Sequence, residues 1–130
     1  MRILMIGTVL LALAACGRDG GGDEAADPLV GTWTVDGVPL AEAVAAGTPY
    51  VVLQDGGRGE AYDGCNSGSG EWSAEGDEVV LAEWISTLRG CLDPSLVAEI
   101  GVTTPLTLDG GTLVVPAADG GEPFRLTRTP

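Results

Sequence analysis

The chain has 130 residues, 21 of them Gly, with 19 Asp and Glu against six Arg, no Lys, no His and a formal net charge of −13. That length carries one domain. The acidic balance excludes a basic nucleic-acid surface, and the missing imidazole excludes Ser-His-Asp, Cys-His and His-ligated metal chemistry.

The first segment, residues 1–15, reads MRILMIGTVLLALAA, with Arg2 as its only charge. The apolar run from Ile3 to Ala15 spans about 20 Å as a helix, short of a hydrocarbon core of about 30 Å. It fits the hydrophobic region of a secretory signal. Its end, Leu13-Ala14-Ala15-Cys16, resembles the lipobox of bacterial lipoproteins. That resemblance implies a diacylglycerol on the Cys16 thiol, and cleavage that leaves Cys16 as the first residue. Two acyl chains hold stably where one holds only marginally. An ordinary signal peptide containing a cysteine, or an uncleaved anchor, are the alternatives.

Residues 16–27 follow as a tether. Gly17 to Asp27 (GRDGGGDEAAD) has no large apolar residue, so it cannot offset its own ordering entropy. As a flexible chain it reaches about 20 Å.

Residues 28–130 hold the folded domain. Asp-Gly and Gly-Gly punctuation recurs at Asp36-Gly37, Asp55-Gly56-Gly57, Asp109-Gly110-Gly111 and Asp119-Gly120-Gly121, where tight turns tolerate positive φ. Between the turns apolar residues alternate. Trp33 and Val35 point one way and Thr32 and Thr34 the other; Val51 and Leu53, Leu113 and Val115, and Phe124 and Leu126 repeat the pattern. Period two with frequent turns predicts about eight antiparallel strands: 30–36, 50–54, 58–63, 70–74, 78–82, 104–108, 112–116 and 123–128. Two short helices are predicted among them. One runs from Leu40 to Ala46, between Pro39 and Gly47. The other runs from Leu96 to Ile100 behind an Asp93-Pro94-Ser95 start signal. The fold class is mainly β with minor α: a small curved antiparallel sheet or partly open barrel, whose closure would deal with exposed edges.

With Cys16 assigned to lipid, Cys65 and Cys91 remain, and two thiols in an exported domain are expected to pair. Free or redox-active thiols are the alternative, without a C-x-x-C or a neighbouring Lys or His to lower a thiol pKa. Carboxylates such as Glu60, Asp63, Glu71 and Glu83 are numerous, but nothing in their spacing fixes the separation and cleft of a glycosidase pair. The Asp-Gly turns lack the ligand density of a calcium loop. No catalytic residue, metal site or cofactor is expected.

Three patterns occur in order: Leu29-Val30-Gly31-Thr32-Trp33, then Gly64-Cys65-Asn66 with Gly68, Gly70 and Trp72, then Thr87-Leu88-Arg89-Gly90-Cys91. With a closing Phe124-Arg125-Leu126-Thr127-Arg128, they resemble the META domain of HslJ-like bacterial lipoproteins over nearly all of 29–128. The matching positions are Gly31, Trp33, Gly64, Cys65, Asn66, Thr87 and Cys91. The chain departs from that pattern in a short segment after Cys91 and in extra Ala-rich sequence at 38–48. Trp33 is expected to plug a barrel end, and Trp72 and Trp84 to lie in the core. Gly64 is expected at a tight approach or bulge, Asn66 in the left-handed region, and Arg89 and Arg128 in ordinary ion pairs.

The resemblance implies a non-enzymatic envelope protein linked to envelope stress or drug tolerance. Its expected location is the extracytoplasmic face of the cell membrane, held by lipid on Cys16. Its expected partner is an envelope component or small ligand, with no nucleic acid, and a monomer is expected. Two other readings remain open. A lipocalin-like carrier needs an internal cavity. A small-barrel protease inhibitor needs an exposed, ordered segment able to fill a protease cleft, for which the tether is the candidate.

Overall fold

The computed structural model describes residues 27–130. Cys16, the signal and residues 17–26 of the tether lie outside them. The described chain runs β1 (Gly31–Val35), α1 (Leu40–Ala46), β2 (Tyr50–Leu53), β3 (Arg58–Tyr62), β4 (Ser67–Glu75), β5 (Glu78–Ser86), a 3-10 turn (Pro94–Leu96), β6 (Leu106–Asp109), β7 (Thr112–Val115) and β8 (Phe124–Arg128). Each strand is antiparallel to the next, and β8 returns to β1 to close a barrel. At that closure Trp33 stands opposite Arg128 and Val35 opposite Leu126. Closure removes the two outermost edges that an open sheet would expose. The narrowest seam is β5 with β6, paired only through Glu78–Thr107 and Val79–Leu106.

Strand alternation decides what lies inside. Trp33, Val51, Leu53, Leu106, Leu113, Val115 and Leu126 are all almost completely buried. The two buried indoles each find a partner for the N–H: Trp33 Nε1 donates to the Leu29 carbonyl at 3.0 Å and Trp72 Nε1 to the Gln54 carbonyl at 2.9 Å. A buried Trp contributes most of its area as packing only when that N–H is satisfied. Thr34 is buried as well, and its hydroxyl donates to the Val38 carbonyl at 2.7 Å.

β4 and β5 extend well beyond the predicted 70–74 and 78–82. Ser67-Gly68-Ser69 has no apolar alternation to reveal a strand, yet Gly68 pairs with Ser86 and Ser69 with Ile85. A bulge lies between. Register jumps from Ser69–Ile85 to Glu71–Ala82, so Gly70 alone faces Glu83 and Trp84. Glu83 takes φ of 50°. The extra residue reverses the inside-outside phase of β5. Val79 and Leu81 point in before it; after it Trp84 packs against the core and Glu83 stays exposed. Gly70 suits the site because a Cβ there would approach the Ala82 and Glu83 carbonyl oxygens at 2.8 and 2.9 Å. Gly68 makes room next to it, since a Cβ there would collide with the Trp84 indole nitrogen.

α1 matches its prediction. Gly47 ends it in the left-handed conformation, its N–H bonded to the last turn. The predicted helix from Leu96 to Ile100 does not form. Asp93 does cap, accepting from the Ser95 amide at 3.0 Å and its hydroxyl at 2.6 Å, but only a 3-10 turn follows. Val97 is already extended. The Ala98 amide donates to the Asp63 carbonyl and the Glu99 amide to the Pro116 carbonyl. Tertiary backbone bonds take the donors that a helix would have used.

Because neighbours are antiparallel, connections alternate between two ends of the barrel. The start of β1, the end of β8 and the turns at 54–57, 76–77 and 110–111 share one end, called here the near end. α1, the 63–66 turn, residues 87–105 and residues 116–123 share the far end.

Candidate functional site

The far end gathers the most distinctive residues of the sequence. The turn after β3 opens with Asp63, whose Oδ1 accepts from the amides of Cys65 at 2.8 Å and Asn66 at 2.5 Å. Such an Asx arrangement holds the turn without help from a regular ladder. Gly64 has φ of 102°, and a Cβ there would run into the Leu96 carbonyl oxygen. Glycine is therefore required both by conformation and by space.

Cys65 and Cys91 form the disulfide, with Cα atoms 5.9 Å apart. This settles the open pairing in favour of the bridge. It ties the 63–66 turn to residues 87–92, which leave β5.

Asn66 locks the same two segments a second time. Its Oδ1 accepts from the Arg89 amide at 2.6 Å and the Thr87 hydroxyl at 2.9 Å. Its Nδ2 donates to the Arg89 carbonyl at 3.3 Å and lies 3.6 Å from the Cys65 sulfur. Thr87 Oγ1 in turn accepts from the Ser67 amide at 3.2 Å, and the Thr87 amide donates to the Ser67 carbonyl. The Asn66 carboxamide thus stands in for a peptide group and carries the β4–β5 ladder one residue beyond the strands. The expected left-handed conformation of Asn66 is not found: among the described residues the non-glycine ones with positive φ are Asp36 and Glu83. Asp63 bonds hold Asn66 without it.

Asn66→Ala removes these bonds and is expected to lower stability by about 1–3 kcal/mol. Asn66→Asp keeps the acceptor but sets a carboxylate against the Arg89 carbonyl, so it should fall between. Thermal melts with the disulfide intact measure both.

The opening motif lies apart from this clasp. Gly31 and Trp33 sit on β1 under Arg128, whose guanidinium carbon lies 5.5 Å from the Trp33 ring centroid. Arg128 Nη1 donates to the Val30 carbonyl at 2.9 Å. Among the described residues Arg128 and Arg89 do not make the expected ion pairs, and the one ion pair there joins the exposed Arg125 and Asp109 at 3.7 Å. Arg128 serves instead as a cation over the indole. No sequence cue gave this contact, because it depends on β8 closing on β1.

A surface depression of about 400 Å³ runs along the outer face of β3, β4 and β5. Tyr50, Glu60, Ile85 and Thr87 line it, and Tyr62 stacks on Tyr50 with ring centroids 5.9 Å apart. The barrel interior is packed with indole and aliphatic side chains. Among the described residues no group of three or more His, Cys, Asp or Glu is placed to hold a metal ion. At Asp93 the Ser95 hydroxyl and then its amide hold the carboxyl below the ordinary carboxylate range.

No curated protein and no solved structure matches the sequence. The family model of the META domain does, over residues 27–127. That span includes β1 through nearly all of β8, the clasp and the opening motif, and the chain therefore belongs to the META domain family.

Proposed function

We propose that this protein is a lipid-anchored component of a bacterial envelope, in the manner of HslJ-like lipoproteins, with a non-enzymatic META domain that binds a partner outside the membrane. The observation that carries the reading is Leu13-Ala14-Ala15-Cys16 at the end of a short apolar run. No described helix is long and apolar enough to cross a membrane; in this reading acyl chains on Cys16 are the means of attachment. The binding role draws support from what the motif residues do. Asn66, Thr87, Cys65 and Cys91 use their polar atoms and sulfurs on one another and on the backbone, which is the work of a scaffold. The packed interior favours a role for the outer surface over that of a carrier. A contribution to envelope stress or drug tolerance is the family-level part of the proposal.

Fractionation tests the anchor. The wild-type protein should partition into the detergent phase of a membrane extract, with a diacylglycerol-modified Cys16 as the first residue by mass spectrometry. Cys16→Ser should move it to the soluble fraction. An unacylated protein that stays in the membrane overturns the anchor.

A further inference from the structure

The clasp holds up a segment that has no structural use of its own. Leu88 is 96% exposed and Leu92 105%, while the backbone between them is fixed by Asn66 and the disulfide. Exposed apolar side chains are ordinary when scattered. Two of them on one braced loop are not, since the loop gains nothing from them in the free protein.

Backbone geometry adds a direction. The Arg89 N–H and C=O both point at Asn66. Peptide groups here are trans, so the C=O and N–H of one peptide point in opposite directions. The Leu88 carbonyl therefore points away from the barrel, and so does the Gly90 N–H. Neither finds a partner among the described residues. β5 leads into this segment with its outer edge unpaired beyond Val79, because β6 pairs only with Glu78 and Val79. With its N–H and C=O on one side, Arg89 has the disposition of an extended residue; free, outward-facing backbone groups flanking it, with the aliphatic Leu88 side chain just before them, are what a cleft that binds polypeptide in extended form accepts. Serine proteases with an apolar specificity pocket have such a cleft. The loop also lies at the far end, away from where residue 27 leads into the barrel, which disfavours a role dipping into the bilayer.

We propose that residues 87–90 form a rigid inhibitory loop for an extracytoplasmic serine protease, with Leu88 filling an apolar specificity pocket. The two braces spare the loop its ordering cost on binding. The bound form is reversible and leaves the chain intact. The segment differs from the tether expected for an inhibitor from sequence, and the proposal holds whether or not Cys16 carries lipid.

The full chain, purified in mild detergent, is assayed against chymotrypsin, subtilisin and trypsin. Competitive inhibition of chymotrypsin or subtilisin, with the inhibitor intact by mass spectrometry, is expected. Leu88→Asp should weaken it by about 30-fold or more, as loss of a buried anchor does, and Arg89→Ala should change it by no more than about threefold. Leu88 is exposed, so the melting temperature of Leu88→Asp should match wild type and separate lost binding from lost folding. Inhibition of trypsin through Arg89, multiple turnover cleavage at Leu88–Arg89, or no inhibition of any enzyme would each overturn the proposal. So would vesicle binding that depends on Leu88 in a chain that leaves all three proteases active. That last result would assign the loop to lipid.

Discussion

Trp33→Ala is expected to cost about 3–5 kcal/mol, a large part of the 5–15 kcal/mol that holds a domain of this kind folded. Three contacts go together. The indole is 1% exposed in the barrel, its N–H satisfies the Leu29 carbonyl, and its ring carries the Arg128 guanidinium. The barrel closes at this position, so the loss weakens both the packing and the β1–β8 seam. Trp33→Phe retains a ring but leaves the Leu29 carbonyl without its donor, and should cost about 1–3 kcal/mol. Urea unfolding followed by the fluorescence of Trp72 and Trp84 measures both variants. A loss below about 1 kcal/mol for the alanine variant would mean that Trp33 does not anchor the closure.

Reduction of Cys65–Cys91 is expected to lower stability by about 3–4 kcal/mol, from the chain entropy of a 26-residue separation. At about 4–8 °C per kcal/mol for a domain near this size, the melting temperature falls by about 12 °C or more. The double variant Cys65→Ala, Cys91→Ala should reproduce the shift under oxidising conditions. The local effect should exceed the global one. Residues 88–92 then depend on Asn66 alone, and limited proteolysis should nick the chain there first. An unchanged melt on reduction would overturn the assignment of the bridge as the main brace of the far end.

The strands that alternate cleanly were legible without coordinates. Trp33 and Val35, Leu113 and Val115, and Phe124 and Leu126 each announce one inward face, and the Asp-Gly pairs mark the hairpins between them. Features that depend on a distant partner were not. Asp93-Pro94-Ser95 starts a turn as expected, but whether a helix follows is decided by Asp63 and Pro116, which claim the next amides. The bulge at Glu83 is invisible locally because a polar residue at an inward phase reads as the end of a strand. At the far end the residues of the clasp were picked out by their pattern and the Cys65–Cys91 pairing was expected, while the bonds of Asn66 and Thr87 were not. Asn66 was expected in the left-handed region; its side chain reaches 23 residues along the chain to Arg89 instead. Arg128 shows the same limit, since its contact to Val30 spans 98 positions.

Because β8 is the second neighbour of β1, the first strand of the barrel has one side vacant until the barrel's eighth strand has been made. A nascent chain lacking Phe124–Arg128 has no means of sealing its hydrophobic centre, whatever hairpins have formed upstream. The barrel can therefore seal only once Phe124–Arg128 is available to pair with β1. The position of the final five-residue strand thus sets when folding can finish as well as how the barrel is shaped.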